Sequence, residues 1–174
     1  MEETQPFKSD RILEEIRKRK SQDQDTQQEE EQVKLVVFTL EDHYYALKGG
    51  DVKEILTVQK ISRVPGTPEF MLGIINVRGD IQSVIDINLF MGLPSTQTSP
   101  DSRIVIAENN GVRSGILVDQ VQDVLDMPGN AIQQPISTLK DSIRYFVAGE
   151  FAYRHHNVTL LDAGKLFEKM TENL

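Results

Sequence analysis

The chain has no cysteine among its 174 residues. Disulfide frameworks, thiolate nucleophiles and cysteine-rich zinc sites are excluded, and a reducing compartment is permitted. No apolar run reaches the roughly 18 residues that a membrane-spanning helix needs. Positive charge is in short supply. There are 19 Lys and Arg against 27 Asp and Glu, giving a net charge of −8 and a pI near 4.9. A nucleic-acid binder wants a basic stripe, so that class is disfavoured. Histidine is scarce as well. His155 and His156 are adjacent, and on a strand they would point to opposite faces, so they could not share a metal. His43 is remote, and no histidine spacing follows a zinc pattern. Gly49-Gly50-Asp51 precedes an apolar run, but the Lys-Ser/Thr of a phosphate loop does not follow. Asp101 and Asp119 lack acidic neighbours at calcium-loop spacing. Nothing forms an activated nucleophile. The expectation is a protein with no metal, no cofactor and no catalysis of its own. The opening Met1-Glu2-Glu3 carries no signal-peptide pattern, which favours a cytoplasmic location.

What the chain does have is a repeat. Residues 52–58 read VKEILTV and residues 121–127 read VQDVLDM, an offset of 69. Both have apolar residues at the first, fourth, fifth and seventh positions and a carboxylate at the third. VVFTL (36–40) aligns with IVIAE (104–108) at an offset of 68. VIDINLF (84–90) aligns with LLDAGKLF (160–167), placing Asp86 against Asp162 at an offset of 76. Three matched segments in one order argue for a duplicated unit of about 70 residues. Two copies are too few for a solenoid. A unit of that size alone has a marginal core, so the two are expected to share apolar surface.

Residues 1–32 have a different texture, with net charge −4. Ser9 is placed to cap a short helix over about 10–20, with Ile12, Leu13 and Ile16 on one side and Arg17 to Lys20 at its end. Residues 21–32 contain no apolar side chain and read as a disordered linker. From Val33 the pattern is β. Strands are expected at 33–40 and 43–49 around a turn at Glu41-Asp42, then at 52–58. A hairpin over 73–87 turns at Arg78-Gly79-Asp80. Residues 92–102 form a loop dividing two subdomains of residues 33–174. The second subdomain repeats the order, with strands near 143–151 and 156–161 and a final helix over about 163–171. Asp86 and Asp162 are expected to cap the helical turns that follow them. Short strands with frequent turns point to a mainly β fold of small barrels.

The most suggestive cluster is Val52, Glu54, Gly73, Asn76, Arg78 and Gly79. Arg78 sits in a tight turn. Gly73 and Gly79 flank a short strand and allow close approach or sharp turning. Glu54 is an acid among apolar neighbours and is a ready partner for Arg78. Such a pair is either a surface ion pair worth about 0–1 kcal/mol or an arginine oriented for an incoming protein.

V-x-E-I (Val52, Glu54, Ile55), Arg63-Val64-Pro65, Pro68, G-I-I-N-V-R-G (73–79), V-I-D-I (84–87) and L-L-D-x-x-K-L (160–166) together resemble the CheW family of bacterial chemotaxis coupling proteins. The likeness covers about residues 33–170. It implies two five-stranded β-barrels of Src-homology type on a shared core, with a short C-terminal helix. It also implies an adaptor that couples chemoreceptors to a CheA-type histidine kinase through the kinase's regulatory domain. The family's receptor-contacting positions fall on Val52, Gly73 and Arg78, with Glu54 as partner of Arg78. The output is either flagellar chemotaxis or motility through type IV pili. The competing expectation is a small ligand-binding barrel or an enzyme without a recognisable site.

Overall fold

The computed structural model describes residues 12–18, 30–136 and 138–174. The chain divides into two units, Met1–Glu31 and Gln32–Leu174. In the first, residues 12–18 form a helix, α1, with Ile12, Leu13 and Ile16 exposed. The Ser9 cap and residues 21–29 of the expected linker lie outside the described residues.

The second unit contains ten strands. They are β1 (Gln32–Leu40), β2 (His43–Lys48), β3 (Val52–Thr57), β4 (Met71–Val77), β5 (Asp80–Ile85), β6 (Arg103–Asn109), β7 (Val112–Val118), β8 (Gln120–Pro128), β9 (Val147–Tyr153) and β10 (His156–Leu161). Helices α2 (Asp141–Arg144) and α3 (Ala163–Glu172) accompany them. The strands form two five-stranded sheets, ordered β8-β1-β2-β10-β9 and β3-β6-β7-β5-β4. Neither ladder closes into the hydrogen-bonded barrel expected from the sequence. Each sheet keeps two edge strands, β8 and β9 in one and β3 and β4 in the other.

The sheets do not follow the repeats. The first sheet takes β1 and β2 from the first half of the chain and β8, β9 and β10 from the second. The other takes β3, β4 and β5 from the first half and β6 and β7 from the second. Loop 92–102 therefore joins two strands of the same sheet. The exchange also creates parallel pairs, β2 with β10 and β5 with β7. Parallel neighbours need a long connection, and the intervening chain supplies it.

Three apolar clusters result. Leu35, Val37, Ala46, Phe151, Val158 and Leu160 fill the concave side of the first sheet. Ile75, Val84, Ile104, Ile106 and Leu117 fill that of the second. Between the sheets lies the shared core, with Phe38, Leu40 and Leu47 from one, Val105, Ile116 and Val118 from the other, and Leu166, Phe167 and Met170 from α3. β1 thus alternates between two interiors, Leu35 and Val37 facing one and Phe38 and Leu40 the other. That explains why its sequence is a continuous apolar run.

Asp86 and Asp162 cap the turns after β5 and β10. Asp86 is fully buried and accepts from Asn88 N–H, Thr96 N–H and the hydroxyls of Ser95 and Thr96. Asp162 accepts from Lys165 N–H, and Leu166, Phe167 and Met170 are buried as expected. β9 starts at Val147, later than the sequence suggests, because Asp141–Arg144 is a helical turn. Four two-residue hairpin turns have positive φ at both central residues, at Glu41-Asp42, Arg78-Gly79, Asn110-Gly111 and Arg154-His155. This is the type I′ signature, whose twist matches that of the flanking strands. His155 is therefore a turn residue, and His156 opens β10, stacked on Tyr44 at 4.0 Å.

Two aspartates stitch the halves together. Asp51 accepts from Asn109 Nδ2 at 2.9 Å, and Asp119 accepts from Glu41 N–H at 2.8 Å. Burial pushes the Asp119 carboxyl above its ordinary value of 3.8, and the Asp42 and Asp86 charges act in the same direction; the hydrogen bond from Glu41 opposes them. A carboxyl raised in the folded state binds protons more readily there than when unfolded. Its charge therefore removes stability as pH rises through that raised value. Asp119→Asn keeps an acceptor for Glu41 and abolishes this loss. Its urea midpoint, relative to the parent chain, is expected to be more favourable at pH 7 than at pH 3. The strand exchange is tested by cutting the chain between Thr98 and Ser99. Each piece alone lacks the strands to complete either sheet, so far-UV circular dichroism is expected to show β structure only when the two are mixed. Cooperative folding of either piece alone would contradict the exchange.

Candidate partner-binding site

The six candidate residues lie along the two edges of one sheet. Val52 and Glu54 are on β3, Gly73 and Asn76 on β4, and Arg78 and Gly79 form the β4–β5 turn. β3 and β4 stand at opposite ends of the strand order. Arg78 Nη2 nevertheless donates to Glu54 Oε1 at 2.6 Å. The sheet's right-handed twist and coil have rolled its two edges into reach of each other.

A second contact holds the same edges. The chain beyond β3 returns to β4, where Ser62 and Ile74 exchange two backbone hydrogen bonds of 2.9 Å. Gly73 makes this possible. A Cβ there would lie 2.3 Å from the Ser62 carbonyl oxygen, and its φ of +145° suits glycine alone. Gly73 is thus required by the backbone. Val52 is likewise turned inward, half-buried against the shared core.

The remaining four residues form the outward part. Asn76 Oδ1 accepts from Gly79 N–H at 2.8 Å and braces the turn. Arg78 takes the first turn position with φ of +51°. A left-handed L-residue costs about 1–2 kcal/mol, and asparagine is the usual occupant of that position. The Arg78 side chain is 81% exposed and that of Glu54 27%. Glu54 engages the guanidinium through one nitrogen, and a guanidinium carries five donors in a fixed fork. Sequence reasoning missed the surroundings. Lys53, Asp80, Gln82 and Arg113 line a cavity of about 150 Å³ beside Arg78, floored by Val77 and Ile106. With the floor included, these residues come from all five strands of the sheet and share no local pattern. Among the described residues no group of three or more His, Asp or Glu side chains could hold a metal ion.

Compared with known families, the chain matches the model of the CheW-like domain over residues 34–170. It belongs to the CheW family. It is 31% identical over 140 residues to the chemotaxis protein CheW of Bacillus subtilis, covering 78% of this chain and 87% of that one. It is 24% identical over 114 residues to the protein PilI of Pseudomonas aeruginosa, covering 66% and 64%. The crystal structure of the scaffolding protein TtCheW from Thermoanaerobacter tengcongensis superposes with a TM-score of 0.70 at 36% identity, covering 79% of this chain and 88% of that one. CheW proteins are non-catalytic scaffolds, and this chain is an adaptor of chemosensory signalling. None of the described helices is long and apolar enough to cross a membrane.

The two kinds of site residue should separate by stability. Arg78→Ala removes one exposed ion pair and is expected to change unfolding free energy by less than about 1 kcal/mol. Gly73→Val drives a side chain into the Ser62 carbonyl and is expected to cost more than about 3 kcal/mol. Urea titration of both variants checks this. A Gly73→Val protein as stable as the parent would contradict the close approach.

Proposed function

We propose that this adaptor couples chemoreceptors to a CheA-type histidine kinase, and that the Arg78–Glu54 surface receives the cytoplasmic tip of the receptor. One observation carries the assignment: a strongly exposed arginine is fixed by a carboxylate on a braced turn, with donors left over. A guanidinium oriented in advance gives up little side-chain freedom when a partner carboxylate or carbonyl arrives. The neighbouring shallow cavity, with Val77 and Ile106 beneath charged walls, suits one apolar side chain of an amphipathic helix. Val52 and Gly73 shape this surface from behind. In this reading the kinase binds elsewhere, through its own regulatory domain of similar fold. Head-to-tail contacts between such domains close into rings where the rotation permits. The adaptor then works in the cytoplasm at membrane receptor arrays without entering the bilayer.

The likeness to PilI supports a second output, motility through type IV pili, by the same coupling step. The test is a reconstituted kinase assay with receptor, kinase and adaptor. Reversing the charge with Arg78→Glu is expected to lower receptor-dependent kinase activity about tenfold or more. Capture of the kinase's regulatory domain should be unchanged. Normal coupling by the variant would refute the role given to Arg78.

A further inference from the structure

The arrangement at Arg78 occurs twice. The offset of 76 that relates Asp86 to Asp162 also carries Arg78 onto Arg154 and Gly73 onto Gly149. The offset of 69 that relates Val52 to Val121 carries Glu54 onto Asp123. The fold realises each correspondence. Arg154 takes the first position of the β9–β10 turn with φ of +44°, beside +51° for Arg78. Its Nη2 lies 3.8 Å from Asp123 Oδ2, and the two side chains are 75% and 35% exposed, against 81% and 27% for Arg78 and Glu54. Gln133 bridges to Glu150, just after Gly149, as Ser62 bridges to Ile74, just after Gly73. A Cβ on Gly149 would meet Ile132 Cγ2 at 2.6 Å and Gln133 O at 2.9 Å. The open side of each sheet is therefore drawn together in the same way, and each presents an arginine.

The second arrangement differs in what surrounds the arginine. Asp123 is a shorter acid and also accepts from the Tyr153 hydroxyl at 2.8 Å. The Arg154 guanidinium lies 5.1 Å from the centre of the Tyr153 ring. The stacked rings of Tyr44 and His156 lie on the adjoining strands β2 and β10. Ala152 stands where Asn76 would brace the turn, and His155 where Gly79 would relax it. Both turn residues are thus non-glycine at positive φ, each at about 1–2 kcal/mol.

We propose that Arg154, with Asp123 and the Tyr153 ring, is a second docking site for an amphipathic helix of the class assigned to Arg78. The helix would set a carboxylate on Arg154 and apolar side chains on the Tyr44–His156 face. Charge complementarity favours this occupant, because Arg154 faces one half-buried acid at 3.8 Å and retains donors for a carboxylate. Equivalent geometry favours the same partner, and the looser pairing makes this site the weaker of the two. For the identity of that partner the proposal rests on the reading of the Arg78 surface. An adaptor with two such sites would link two receptors, and linkage raises avidity beyond either affinity alone.

The test is calorimetric titration of the full chain with a soluble chemoreceptor cytoplasmic hairpin. The parent chain is expected to bind two hairpins, the second about tenfold more weakly. Arg154→Glu should retain only the tighter event and Arg78→Glu only the weaker, whereas Arg154→Lys should keep both. Unchanged urea midpoints would show that these exposed substitutions leave the fold intact. Loss of an event on Arg154→Glu with no effect of Arg78→Glu would overturn the reading of Arg78 and leave the second site standing. A single binding event unaffected by Arg154→Glu, or no binding at all, would overturn the second site.

Discussion

β2 pairs in parallel with β10, and β7 pairs in the same way with β5. Together with the antiparallel ladders β1–β8 and β3–β6, these are where each half of the chain enters the other's sheet, and the rest of the unit depends on them. Only with the exchange in place do β1 and β6 lie central in their sheets with both faces covered. Only then does the space between the sheets close over Phe38, Val105, Ile116 and Phe167. The buried network around Asp86 has a place in the same scheme. It ties the start of loop 92–102 to the end of β5 and sets the path of the chain into β6.

The surface proposed to meet partners is a by-product of rolling each sheet until its edges approach. Arg78 and Glu54 belong to opposite edges, so their ion pair reports the curvature of the whole sheet. The pair itself adds little to stability, since both groups reach water. That is a useful property in an adaptor, because an interaction the fold does not need is available for exchange with a partner. Gly73 stands at the other extreme, where the backbone tolerates no side chain. Effects of substitution at these two positions have different physical origins even though they are neighbours in sequence.

Much of this was legible in the residues. Two-residue turns, capping aspartates and the apolar face of α3 follow from local chemistry, and local chemistry is what a sequence displays most directly. The pairing of Arg78 with Glu54 was accessible from composition, because an acid among apolar neighbours calls for a partner. The strand exchange was hidden. Nearly constant offsets reveal which segments correspond, but a strand's pattern does not say which copy it pairs with. The start of β9 was misplaced because Ile143 and Tyr145 look like strand residues, whereas Lys140 to Arg144 close a helical turn through backbone hydrogen bonds. The inward role of Gly73 was hidden for a related reason: the chain at Ser62 approaches β4 from outside any local pattern.

The interlacing of the halves has a mechanical consequence. A load applied at one rolled sheet cannot be relieved by detaching that sheet as a separate module, because two of its five strands continue directly into the other. Force entering at either end travels through covalent chain as well as through packed side chains. A small protein tied in this way resists being pulled apart sheet from sheet.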